Sequence, residues 1–298
     1  MLLAVAVAAS CATESAPRPA PAAATSPGTP TDISPAPTAP VPTPRGPGPP
    51  STDGTLAEAA YGPGSEPPDW LFTRLLPETS DGYGVIRPTP PVLRRRAFTL
   101  ADHVPMLPGR DYASRILSPA PAEVVNRSTW EPGCPVARDG LAWLRLTFWG
   151  FDARRHTGEL LVNTGAADDL DLVFRQLWQA RFPLEQVLIV RSLDEEAPPT
   201  GDGNGTGSFV CRATTGGTSF SQHAYGLALD VNTFQNPYEE DGLVLPERAS
   251  SYLERDRVRP GMITADGPVV AAFREIGWSW GGEWNTLKDY QHFSANGL

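Results

Sequence analysis

Lysine is almost missing from this sequence. Lys288 is the sole example, and the other basic residues are all arginine. Acids outnumber bases by 34 to 24, giving a formal net charge of −10. A chain so short of cations excludes nucleic acid as a partner, because binding a phosphate backbone requires a dense basic surface. The preference for arginine reads as a codon bias, not as a function. Histidine is scarce too, with four residues, and cysteine has three. No cysteine has the close Cys or His neighbours of a structural zinc site. Long apolar runs are also absent. "MLLAVAVAAS" at the start is too short to span a bilayer, and no later stretch is long and apolar enough.

What is abundant at first is proline. From Thr13 to Pro68 the chain is Pro, Ala, Thr, Ser and Gly, and this stretch holds about half of its 33 prolines. Such a composition has almost nothing to bury and stays extended and solvated. In polyproline form, at ~3.1 Å per residue, it would reach on the order of 150 Å. The apolar start running into small residues before Cys11 has the outline of an export signal. "AASC" resembles the lipobox of bacterial lipoproteins, which implies a lipid anchor on Cys11, although no Lys or Arg precedes the apolar run. An ordinary signal peptide is the alternative. The expected layout is therefore a signal over residues 1–11, a tether over 12–69 and a folded domain over 70–298. With Cys11 set aside, Cys134 and Cys211 are an even pair in an exported domain, so a disulfide is expected.

The folded part mixes strand and helix periods. "LAWLRLTFWGF" alternates Leu144, Leu146 and Phe148 inward as a strand, with "GELLVN" as its neighbour across a turn near Arg154 to Thr157. Leu170, Val173, Phe174, Leu177 and Trp178 recur at helical spacing, with Thr164 as cap and Pro183 as stop. "LEQVLIV" reads as a further strand, and "DGPVVAAFREIG" as a second amphipathic helix ending at Gly277. This order favours an α+β domain with helices packed on an antiparallel sheet.

Chemistry concentrates in two stretches, "SQHAYGLALDVN" and "DYQHF". Leu227, Leu229 and Val231 alternate with Gly226, Ala228 and Asp230, a strand pattern whose second face is nearly empty. That open face would leave room for a ligated ion. His223 and Asp230 are seven apart, an offset that puts them on opposite faces of one strand. They converge only if His223 sits in a turn before it and Gly226 bends the chain. Asp289 and His292, three apart, share a side in a turn or helix. Two histidines and a carboxylate with an open fourth position form a catalytic zinc site, and a further carboxylate can serve as base. Calcium is disfavoured, since histidine is a poor ligand for a hard cation.

Together with "WGGEW", these stretches resemble the zinc D-alanyl peptidases of bacterial cell walls, at Ser221, His223, Gly226, Ala228, Asp230, Gly282, Trp284, Asp289, His292 and Phe293. The resemblance covers roughly residues 141–294. It implies a single catalytic domain of the type shared with hedgehog signalling domains. It makes His223, Asp230 and His292 ligands of Zn2+, Asp289 the base and Ser221 a pocket residue. It also calls for an upstream arginine against substrate, for which Arg191 and Arg212 both qualify. Trp278, Trp280 and Trp284 are either a pocket wall or core. The implied activity is hydrolysis of peptidoglycan stem peptides, D-alanyl-D-alanine carboxypeptidase first and L-alanyl-D-glutamate endopeptidase second, with a non-catalytic wall-binding module as the alternative of another class. Nothing in the sequence points to a stable protein partner.

Overall fold

The computed structural model describes residues 63–214 and 217–298. The expected signal and most of the expected tether lie outside them. Strand β1 (Ser114–Leu117) and a short helix α1 (Ala122–Asn126) lead to the long hairpin of β2 (Leu141–Trp149) and β3 (Arg155–Asn163). Helix α2 (Ala167–Gln179) and the single turn α3 (Ser192–Glu195) come next. Three short strands follow, β4 (Ala228–Asp230), β5 (Tyr238–Glu240) and β6 (Leu243–Leu245). Helix α4 (Pro268–Glu275) precedes β7 (Ser279–Trp280), β8 (Lys288–Asp289) and β9 (His292–Ser294).

These strands form three antiparallel sheets of three strands each, ordered β1-β2-β3, β4-β9-β7 and β6-β5-β8. The α+β reading holds, but the one expected sheet is three. β1 and the β5–β6 hairpin were not foreseen, because runs of three or four residues carry too little periodicity to stand out.

The β2–β3 hairpin matches expectation in position, with Leu144, Leu146 and Phe148 all buried. Its turn is tighter than expected, since β3 already begins at Arg155. Helix α2 lays Leu170, Val173, Phe174 and Leu177 onto the inner face of that hairpin. Trp178 is only half-buried and stacks on Trp149 at 4.2 Å between ring centroids. Two end signals fall elsewhere than expected. Asn163, not Thr164, caps the turn leading into α2, accepting from Gly165 N at 3.0 Å. At the far end Arg181 takes a left-handed φ of 53°, which ends the helix before Pro183 is reached.

"LEQVLIV" is extended but is not a strand. Leu184 N donates to Trp149 O, Val187 O accepts from Glu159 N, and Leu188 N donates to Thr206 O. The segment touches a different neighbour every few residues, so no ladder develops. It still buries Leu184, Val187 and Ile189.

The main core has a consequence for the site. It runs from β2, β3 and α2 through Val270 and Phe273 of α4 to Leu229 of β4 and Phe293 of β9. Phe273 and Phe293 stack at 3.9 Å. A second cluster, including Leu71, Leu93, Phe98, Phe234 and Tyr252, joins the residues before β1 to those between β4 and α4. A third, around Val125, Leu141, Leu161 and Phe209, surrounds a disulfide between Cys134 and Cys211. That pair is the expected one.

One buried ion pair ties the first of these regions to the rest. Arg96 and Glu185 are both fully buried, with Arg96 Nη2 at 2.6 Å from Glu185 Oε1. Arg96 Nε reaches Glu185 Oε2 at 2.9 Å and Nη1 donates to Asp202 O. Removing one partner strands a buried charge, which typically costs ~3–5 kcal/mol. We therefore expect Arg96→Met to destabilise the domain by about that much in urea denaturation, and Arg96→Met with Glu185→Leu to recover a large share of the loss. Equal stability of the single variant and wild type would contradict this account of the pair.

Candidate metal centre

β4 and β9 carry the site on one side and the core on the other. Period-two alternation turns Leu229 and Phe293, both fully buried, to the back. Asp230 and His292 are direct cross-strand partners and face front together. His223 arrives from outside this ladder. It lies in a 3-10 turn, Gln222–Tyr225, where Ser221 Oγ caps the turn by accepting from His223 N at 3.3 Å.

Gly226 then takes φ +66° and sends the chain back into β4, the bend that convergence required. Its lack of a side chain has a different cause from the one expected. A Cβ there would lie 2.5 Å from Asn163 N, and Asn163 N donates to Gly226 O at 2.9 Å. The glycine makes room for the end of β3, not for an ion. Ala228 is likewise fully buried, its carbonyl accepting from Ser208 Oγ at 2.7 Å.

His223 Nε2, His292 Nδ1 and Asp230 Oδ1 form a nearly equilateral triangle. The sides are 3.2 Å between the two nitrogens, 3.2 Å from His223 and 3.1 Å from His292 to the carboxylate. Three ligands held ~2.1 Å from one tetrahedral ion would stand roughly 3.4 Å apart. Among the described residues this is the one His/Cys/Asp/Glu group close enough to hold a metal.

The remaining ring nitrogens decide the tautomers. His223 Nδ1 is 2.6 Å from Ser208 O and His292 Nε2 is 3.1 Å from Leu298 O. Carbonyl oxygens only accept, so both of these nitrogens carry the proton. In the neutral rings the atoms at the triangle's corners are then three bare acceptors aimed at one point. Backbone partners of this kind are how ligating histidines are oriented. A cation satisfies such a set, and the residues present fit zinc.

The titration behaviour agrees. Burial opposes ionisation of Asp230, but the charge and hydrogen bonds of His223 and His292 hold its carboxyl well below the usual range. Burial lowers His292, yet its bond to Asp230 and that charge raise it above the ordinary imidazole value. These are two ends of one interaction. Without a metal, a proton is what relieves the clustered acceptors.

These side chains open on a pocket of about 310 Å³ that Arg212, Ser221, Tyr238, Trp284, Asp289 and Gln291 also line. Asp289 comes from another sheet, where β8 pairs with β5 through Tyr238 and Asp289. A bend at Tyr290 and Gln291, not a helix, turns the chain from it to His292. Its Oδ1 is buried without a hydrogen-bond partner. Burial and the nearby Asp230 carboxylate push its pKa up to about 7.

Of the two arginines, the structure brings only Arg212 to the pocket. Arg191 points to Asp194, with Nη2 at 2.6 Å from Oδ1. Trp278 and Trp280 belong to the core, while Trp284 is a pocket wall. Ser208 and Tyr238 were not singled out from sequence. Ser208 acts through its carbonyl, which any residue has, and nothing near Tyr238 in sequence marks it.

Two outcomes are expected. Gly226→Ala faces both the left-handed φ and the contact with Asn163, so it should destabilise the domain by ~1–3 kcal/mol and weaken metal binding. Calorimetric unfolding and a metal titration of the variant check this. In zinc-free protein, Asp289 has a folded pKa above its unfolded one, so its contribution to stability is full below about pH 4 and is lost as pH rises through 7. Asp289→Asn should remove that loss, which urea midpoints of the two metal-free proteins between pH 5 and 8 would reveal as a flatter profile for the variant.

Residues 215–295 match a family model described as D-alanyl-D-alanine carboxypeptidase. Neither the curated proteins nor the solved structures contain a match to the chain. The matched segment contains His223, Asp230 and His292, the three clustered side chains, and Asp289 in the pocket beside them. The segment that brings His223, Asp230 and His292 together is thus the part of the chain that is similar to the D-alanyl-D-alanine carboxypeptidase family of peptidases.

Proposed function

We propose that this domain is a zinc-dependent peptidase that hydrolyses peptidoglycan stem peptides, acting as a D-alanyl-D-alanine carboxypeptidase. The observation that carries the reading is the triangle of bare acceptors at 3.1–3.2 Å with Asp289, whose buried Oδ1 has no hydrogen-bond partner, in the same pocket. Bound zinc would supply a Lewis acid that polarises the peptide carbonyl and acidifies water. The chain supplies the rest. Asp289 takes the proton from the attacking water and passes it to the leaving amine. Arg212, half-buried at the rim, offers a planar donor pair to a substrate carboxylate. Ser221 and Trp284 shape the pocket between them.

Retention of Asp289 beside the full ligand set favours catalysis over a silent binding module. Cleavage of the L-alanyl-D-glutamate bond is the alternative specificity within the same chemistry. The Cys134–Cys211 disulfide supports an exported domain. On this reading the proline-rich segment lets the domain reach the wall from a signal-directed or lipid-anchored N-terminus.

Purified protein should contain about one zinc per chain, and chelation should abolish hydrolysis that added zinc restores. His223→Ala and His292→Ala should lose metal and activity together, by elemental analysis and turnover. If either keeps full zinc and full turnover, the assignment is wrong. Asp289→Asn keeps shape but cannot accept a proton, so kcat should fall ~10²–10⁴-fold with zinc content unchanged. Mass spectrometry of defined muropeptides tests specificity, with loss of one terminal alanine from a pentapeptide stem as the expected product. Cleavage next to the first stem alanine would favour the alternative.

A further inference from the structure

We propose that the Cys134–Cys211 disulfide is a positioning device for Arg212, holding the hairpin that carries this arginine against the pocket. The hairpin has legs 211–214 and 217–221, closed by an antiparallel bridge between Ala213 and Phe220. Thr214 N donates to Ser219 O and Ser221 N to Arg212 O. Arg212, Thr214, Ser219, Phe220 and Ser221 of these legs all line the pocket. Yet the described residues between Ala213 and Phe220 are exposed, and the hydrogen bonds they make stay inside the hairpin.

What anchors the hairpin therefore lies at its two feet. One foot is Ser221, fixed as cap of the His223 turn. The other is Cys211, the residue before Arg212. The chain leading to it is well held, with Phe209 N on Leu161 O, Val210 N on His223 O and Cys211 N on Thr129 Oγ1. The disulfide to Cys134 is the last tie before the legs project. Beyond it, among the described residues, the Arg212 side chain pairs with Glu195 at 3.6 Å, with both side chains about 40% exposed, donates to its own neighbour Ala213 and lies within electrostatic reach of Asp289. A pair so exposed holds little. The bond thus sits where it fixes the origin of the Arg212 side chain, while Asp230 and His292 are held by β4, β9 and their core and His223 by its own turn and Ser208 O.

Amide hydrogen exchange on Cys134→Ser/Cys211→Ser in the full chain tests this without reference to activity. The Thr214 and Ser221 amides should exchange at least ~10-fold faster than in wild type, with β4 and β9 amides and zinc stoichiometry unchanged. Unchanged exchange in the hairpin would overturn the proposal. Should the serine variant not fold, native protein reduced with a phosphine gives the same reading. Unfolding by both routes would also overturn it, because the bond would then be holding the domain. A kinetic arm rests on the peptidase reading. With a carboxylate-terminated peptide, KM should rise about tenfold at nearly constant kcat, and adding the serine changes to Arg212→Ala should cost nothing further. An equal cost in both backgrounds would count against a role through Arg212. If wild type cleaves no peptide, the peptidase reading fails while the exchange result still decides this one.

Discussion

Two imidazole nitrogens and a carboxylate oxygen, each bare and each within 3.2 Å of the others, repel one another unless something positive sits among them. Left to itself the chain would rotate one of these groups away. What holds the rings is that the far nitrogen of each is committed to an oxygen acceptor, Ser208 O and Leu298 O, and Asp230 stands opposite His292 as its direct cross-strand partner. The buried acceptors are thus held in an arrangement that is unfavourable alone and favourable around a cation. The opposed shifts of Asp230 and His292 show the same tension, with a proton as the lesser remedy.

The stiffness that resists this repulsion does not come from the strands that bear Asp230 and His292. β4 and β9 have three residues each, too short to be stable as a pair. It comes from behind, where Leu229 and Phe293 are locked into the main core and Phe293 stacks on Phe273 of α4. Asp289 belongs to a different sheet, joined to the ligand strand by the bend at Tyr290 and Gln291. That separation lets a carboxyl lie in the ligand pocket without joining the triangle.

Arginine does work in this fold that lysine would do less well. Arg96 spreads its guanidinium over Glu185 and Asp202 O, and Arg255 donates to Gln235 O, Tyr252 O and Ile263 O. Burial lowers Arg255 to about 10, so it stays charged at neutral pH. A fixed fork of five donors can satisfy several buried acceptors at once, which a single ammonium does with less geometric control. The scarcity of lysine therefore matches a structural use, whatever its origin in codon preference.

The sequence by itself determined the local features. Alternation at Leu144, Leu146 and Phe148 marked β2, the spacing of Leu170, Val173, Phe174 and Leu177 marked α2, and the pattern from Ser221 to Asp230 with Asp289 and His292 marked the site. Each of these is periodic or is a set of chemically distinctive residues. Tertiary structure alone decided the rest. It split one expected sheet into three, since strand partners are chosen by packing and not by the strand's own residues. It placed Arg212 at the pocket and paired Arg191 with Asp194 three residues on. It gave Gly226 its purpose through Asn163, which is 63 positions away and was invisible to any local reading. It also fixed the two tautomers, because backbone oxygens have no signature in a sequence.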